Sequence, residues 1–215
     1  MGYLKWDSKI VNDFSDKNIN SLYNDGYLFT RTIKGSLYQT ISLRIDLDQF
    51  ELSSENRRIL KKTNNIQTQT RAIPYSGYHW SIHKMGKDFY TIKFGDKIFS
   101  ANKIKELMTD KKNSNFNIVF VYSQDSENKG YCIAIETNEL IHYSYPFYNL
   151  KNTNKDMGMG MMTKAIVYTK ENNKKYIYLG SFSRPTDIYK LQFKGLEWFD
   201  GEKWKNDLEE LKNTL

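Results

Sequence analysis

The side chains with chemical potential crowd between Glu139 and Trp204. The stretch holds ELIHYSYPFYN, a polar loop, the glycine turn GMGMM, and a Tyr- and Lys-rich end, KKYIYLGSFSRPTDIYKLQFKGLEW. Asp187 and Glu197 are carboxylates able to take a proton from an attacking amine, directly or through a held water, or else to serve as salt-bridge partners. Lys190 and Lys194 suit phosphate contacts, and the tyrosines suit base stacking. Gly158 and Gly160 open a helix, where free N–H groups suit an anion such as a pyrophosphate; the plainer reading is a strand-to-helix turn with Met packed inward. The clustered methionines would wall a pocket for an apolar group or fill gaps in a core.

Other chemistries find no support. No Ser/His/Asp order stands out. Cys132 is the sole cysteine, set in the apolar run YCIAIE, so no disulfide or cysteine metal cluster forms within one chain. His79 and His83 would share a face only in a helix, and HxxxH alone is no metal site. We expect no metal. Upstream, Arg57, Arg58, Lys61 and Lys62 lie in SSENRRILKK, a helix start capped by Ser53 or Ser54 that would suit a phosphate backbone or form a solvated face.

The elements that must position these groups read as follows. Helices are expected over 16–27, 53–62, 101–112 and 158–172. Strand-like runs cover 27–50, 66–73, 116–123, 130–137, 139–148, 175–181, 188–193 and 196–199, with a short C-terminal helix. The segment 76–100 is ambiguous, its glycines fitting turns between short strands or helical turns. A β-β-β-α-β order predicts an α/β (α+β) fold. Its mixed, mostly antiparallel sheet is flanked by helices, and a helix crosses over between two parallel strands, the arrangement of N-acetyltransferase (GNAT)-like folds. The 215 residues form one unit, with a boundary near 74–88 dividing an N-terminal lobe (1–80) from a C-terminal core (81–215). Only 39% of residues are hydrophobic, but 16 Tyr and 12 Phe can fill a core. The net charge of +7 allows a polyanionic partner such as tRNA. With no apolar signal core, no membrane-length run, and Trp6 breaking the myristoylation pattern after Met1-Gly2, the expected location is cytoplasmic, without membrane association.

The segment LRIDLDQFELSSENRRILKK resembles a block of the arginyl- and leucyl-tRNA–protein transferases, with Arg44, Ile45, Phe50, Ser53, Arg57 and Arg58 in step. YSYPFYN is similar to their Y-x-F-Y-D, through Tyr145, Phe147, Tyr148 and Asn149. KKYIYLGS resembles Y-x-Y-L-G-Y through Tyr176, Tyr178, Leu179 and Gly180. YKLQFKGLEW resembles Y-K-A-R-F-R-P-L-E through Tyr189, Lys190, Phe193, Lys194, Leu196 and Glu197. The blocks span roughly 44–197. The family's cysteines are absent, GMG replaces its S-L-G, and Gln192 replaces a basic residue. The resemblance implies aminoacyl transfer from tRNA to an amine, such as a protein N-terminus of the N-degron kind, with no cofactor. The implied catalytic set is Glu197, Asp187 and Tyr145. The implied RNA- and substrate-binding set is Arg57, Arg58, Tyr148, Gly158, Gly160, Tyr178, Lys190 and Lys194. The alternatives are an acetyl-CoA-dependent N-acyltransferase and a non-catalytic RNA- or peptide-binding relative.

Overall fold

The computed structural model describes residues 4–151 and 154–214. Met1-Gly2-Tyr3, Asn152 and Thr153 of the polar loop, and Leu215 lie outside the described residues. In chain order the elements are β1 (Asp7–Ile10), α1 (Asp16–Asn24), β2 (Tyr27–Phe29), β3 (Ser36–Gln39), β4 (Ser42–Asp46), α2 (Ser54–Lys62), β5 (Gln67–Ala72), α3 (Trp80–Phe94), α4 (Ala101–Thr109), β6 (Ile118–Gln124), β7 (Glu127–Glu136), β8 (Leu140–Tyr148), α5 (Met157–Glu171), β9 (Tyr176–Ser181), a 3₁₀ helix (Pro185–Gln192), β10 (Leu196–Phe199), β11 (Trp204–Lys205) and α6 (Leu208–Lys212).

Eight strands form the main sheet in the order β11-β10-β4-β9-β8-β7-β6-β5, and β1-β3-β2 form a small second sheet. All pairs in the main sheet are antiparallel except β8–β9, which α5 links as a parallel crossover. This is the mixed, mostly antiparallel, N-acetyltransferase-like arrangement that β-β-β-α-β implied. Strands from both sides of the 74–88 segment, β4 and β5 before it and β6 to β11 after it, share this one sheet.

Helices cover both faces. On one, α2 and α5 bury Leu43, Ile45, Phe120, Tyr143, Met161 and Ile177; on the other, α1, α3 and α4 bury Tyr23, Ile104, Val119, Ile133, Phe147 and Tyr178. Met157, Met161 and Met162 are core residues rather than a pocket wall; of the methionine cluster only Met159 is half-buried. Local chemistry sets the helix starts. Ser53 and Asn56 close a capping box on α2, each side chain 3.1 Å from the other's backbone nitrogen.

Three readings change. The run 27–50 divides into three strands, turned at Gly35 (φ +79°). The ambiguous 76–100 segment is mostly one 15-residue helix, α3, in which Gly86 is a contact point: an added Cβ would lie 2.7 Å from the Ile104 side chain on α4. The expected strand at 188–193 is part of the 3₁₀ helix. Pro185 presets its first turn, and the Asp187 carboxylate accepts from the Ser183 and Arg184 N–H groups, each at 3.1 Å.

Candidate functional site

Strands β8 and β9 pair only at Leu140–Tyr176, Ile141–Ile177 and His142–Tyr178. Beyond those pairs their pairing stops, and both strands bulge there, β9 at Leu179 and β8 at Ser144. Ala134 stands opposite Tyr143 and Ile133 opposite Tyr145, leaving Ser144 extra. A bulge bends its strand, sharpens the twist and breaks the alternation of faces. Tyr143 accordingly points under α5, whereas Tyr145 and Phe147 belong to the α3 side. The unpaired stretches, Tyr143–Tyr148 of β8 and Leu179–Ser181 of β9, form the two sides of a wedge between the strands.

The 3₁₀ helix leaves the end of β9 and returns Lys190 to that wedge. Lys190 is 7% exposed; its Nζ donates to the Ser181 carbonyl at 2.8 Å and lies 3.5 Å from Asp187 Oδ1. Burial pulls the ammonium pKa down, while Asp187 opposes the shift. On the β8 wall, His142 Nδ1 is 2.9 Å from the Tyr23 hydroxyl, which accepts from Phe29 N–H at 3.3 Å. A neutral His142 whose Nδ1 accepts the Tyr23 proton carries its ring hydrogen on Nε2. Burial, and then the nearby Lys190 charge, hold His142 neutral by lowering its pKa to about 3. Tyr189 is 43% exposed at the mouth of the wedge, and burial of its phenol, with the Asp187 charge, pushes its pKa up.

At the start of α5 the two glycines have different surroundings. A Cβ on Gly160 would lie 2.6–2.9 Å from Thr63, at the end of α2, so this glycine lets two helices touch. A Cβ on Gly158 would meet the Tyr148 hydroxyl at 3.3 Å, beside the wedge. The Gly160 N–H already bonds the Asp156 carbonyl at 2.8 Å. Asp156 is the N-cap of α5, but its side chain bonds no helix N–H and pairs instead with Lys62 at 3.3 Å and Arg58 at 4.0 Å.

The structure thus brings Lys190, Asp187, Tyr148 and Gly158 to the wedge and its border, with Arg58 one contact further out. Arg57 is exposed on α2, its guanidinium 2.6 Å from the Leu52 carbonyl. Lys194 is exposed and paired with Glu51 at 2.8 Å. Tyr145 packs away from the mouth, against Phe99 and Phe116 at ring distances of 5.2 and 5.4 Å. Glu197 is on β10, separated from β9 by β4. Its carboxylate is 2.7 Å from Arg44, whose guanidinium is sandwiched between Tyr176 (4.0 Å) and Trp204 (3.9 Å) and reaches the Tyr178 hydroxyl at 3.4 Å. Glu197 and Tyr178 therefore sit in a structural cage around Arg44. His79 caps α3 and His83 bonds Tyr78; among the described residues no three metal-ligating side chains converge. Sequence reasoning missed the Tyr23–His142 pair and the β8 bulge at Ser144. The only signal was the run HYSY around His142 and Ser144, since a bulge leaves no mark in alternation and Tyr23 lies far along the chain.

No protein-family model matches the chain. Its fold is shared by solved structures that include the following two. The C-terminal domain of a lysylphosphatidylglycerol synthetase from Agrobacterium fabrum has TM-score 0.50 and 11% identity, over 82% of this chain and 55% of that one. L-PGS from Bacillus licheniformis has TM-score 0.52 and 13% identity, over 92% of this chain and 68% of that one. This chain thus spans little more than half the length of the first. Among the described residues no helix is long and apolar enough to cross a membrane.

Proposed function

We propose that this chain transfers an aminoacyl group from a charged tRNA to an amine, with the β8–β9 wedge as the transfer site. The observation that carries the reading is the wedge itself, joined at the α5 start to the basic face of α2. The name lysylphosphatidylglycerol synthetase describes a product bearing an aminoacyl group, and the shared fold supports the same class of transfer here. A protein N-terminus of the N-degron kind is the acceptor we favour, on the resemblance to arginyl- and leucyl-tRNA–protein transferases.

In this reaction the acceptor nitrogen bonds to the ester carbonyl carbon. The bond from that carbon to the ribose oxygen breaks, and one proton passes from the amine to the departing 3′ oxygen. The ester is already activated, so proximity supplies most of the acceleration. Lys190 places positive charge near the reacting oxygens, and Asp187 holds Lys190 there. Arg57, Arg58 and Lys194 contact the nucleic acid. At the α5 start Asp156 adds a negative charge next to the helix N-terminus without bonding its N–H groups, which disfavours a coenzyme A pyrophosphate there and supports RNA as donor.

The test offers labelled amino acids on a pool of charged tRNAs to peptides with varied N-termini and, separately, to phosphatidylglycerol vesicles. Label on a peptide is the expected result. Label on lipid replaces the acceptor, and label on neither, with transfer from acetyl-CoA instead, overturns the reading.

A further inference from the structure

The 3₁₀ helix runs across the mouth of the wedge. At its start the Arg184 guanidinium lies over the Phe94 ring of α3, at 4.9 Å. At its end the Gln192 amide nitrogen is 3.7 Å from Met159 Sδ on α5. Because α3 and α5 cover opposite faces of the sheet, the wedge has two approaches. The donor reading takes the α5 side, where α2 carries the cations. That leaves the α3 side for the acceptor, since a nucleophile needs a path to the carbonyl carbon that the RNA does not fill.

The α3 approach is apolar and basic. Phe94, Ile188 and Tyr189 are 42%, 52% and 43% exposed. The Phe94 ring is 6.4 Å from Phe89, which is 4.9 Å from Tyr148 on the β8 wall. Burial, then the neighbouring Asp187 and Tyr148 groups, push the Tyr189 pKa up, so its hydroxyl end reaches inward while the rest of the side chain stays exposed. Residues three apart eclipse in a 3₁₀ helix, so Ile188 stands over Pro185, next to Arg184. Arg184 is itself exposed, as are Lys93 and Lys97 at the end of α3, with Asp96 the carboxylate between them. Exposed apolar groups gathered at an opening mark a binding surface.

We propose that this α3-side mouth is the acceptor subsite, selecting a peptide with a bulky apolar first residue and an acidic side chain at its third or fourth position. This rests on the aminoacyl-transfer reading above. The attacking amine sits at Lys190, the first side chain packs on Ile188 and Tyr189, and the acid meets Arg184. Spacing sets the acid's position. Arg184 precedes Lys190 by six residues, about 12 Å at the 3₁₀ rise of about 2 Å each, and three to four extended residues span that distance. A basic side chain at the same position meets a like charge instead.

The test offers a pool of charged tRNAs with four peptides, beginning with Phe or Gly and carrying Asp or Lys at both the third and fourth positions, and separately with phosphatidylglycerol vesicles. In kcat/KM the wild type is expected to favour Phe over Gly by about tenfold and Asp over Lys by about threefold. Ile188→Ser is expected to lose the first preference through a higher acceptor KM, with kcat and tRNA affinity unchanged. Arg184→Glu is expected to reverse the second, which loss of a merely structural contact would not do. Both side chains are exposed, so thermal midpoints should hold; the wild-type preferences and the reversal decide the matter even if Ile188→Ser folds poorly. Equal transfer to all four peptides, or preferences unchanged in both variants, overturns the subsite while leaving aminoacyl transfer standing. Transfer to the vesicles alone does the same. Transfer from charged tRNA to no acceptor overturns the aminoacyl reading, and the subsite falls with it.

Discussion

Two residues carry charge arguments that stability measurements can check. Arg44 is 6% exposed on its side chain and Glu197 27%. Removing Glu197 leaves a buried guanidinium with only Asn24, Tyr178 and two ring faces. Glu197→Ala is expected to lower unfolding stability by about 2–4 kcal/mol, below the full penalty for a wholly buried pair because Glu197 keeps some water. The denaturant midpoint reads this. The transfer rate per folded molecule should not change; a hundredfold loss there would make Glu197 the proton acceptor. His142 makes the second argument. Its pKa falls from an ordinary 6.5 to about 3 on folding. The unfolded chain therefore takes the proton first, so stability is full above pH 6.5 and lost as pH falls towards 3. The expected slope approaches about 1.4 kcal/mol per pH unit below 6.5, and it should be missing from His142→Gln between pH 6.5 and 5, above the usual carboxylate range.

At the scale of elements, the α5 glycines separate packing from ligand binding. Gly160→Ala drives a methyl into Thr63. It should cost about 1–2 kcal/mol net, since overpacking outweighs the better helix propensity of Ala. Gly158→Ala meets only the Tyr148 side chain, at 3.3–3.7 Å, and should be near neutral in thermal unfolding. Equal losses at both positions would contradict this division. The same contrast shows what the sequence could tell. The α2 start was readable because a capping box is local, closed by Ser53 and Asn56 three residues apart. The meander and the α5 crossover were readable from period and order. Gly86 and Gly160 looked like turn or anion glycines because their reason is a neighbour far along the chain. The 3₁₀ helix was taken for a strand because Asp187 capping and the burial of Lys190 are decided by the wedge, not by the residues 188–193. The site was legible in Lys190, Asp187, Tyr148 and Gly158. It was not legible in the break of β8–β9 pairing, which follows a bulge at Ser144 set by pairing with β7.

At the scale of the whole molecule, the net charge of +7 becomes informative through its placement. Arg57, Arg58, Lys61 and Lys62 are all exposed on α2, which packs beside the α5 start that borders the wedge. Arg58 and Lys62 are partly committed to Asp156, so Arg57 and Lys61 are the cations most available to a phosphate backbone. Affinity built on phosphate contacts falls linearly in log K against log salt, by about 0.7–0.9 per contact. The double variant Arg57→Ala, Lys61→Ala should weaken tRNA binding and flatten that slope by about 1.4–1.8, two contacts' worth. Lys5→Ala, which removes a charge lying over the Tyr38 ring on the small sheet, should leave both unchanged. Filter binding or anisotropy across a salt series separates the cases. An unchanged slope in the double variant would mean that the nucleic acid does not run along α2. Thermal stabilisation by acetyl-CoA but not by tRNA would return the α5 start to a coenzyme, despite its carboxylate. A parallel loss of slope in both variants would mean that the charge acts as a diffuse field, and the wedge would then need another route for the acceptor end of the RNA.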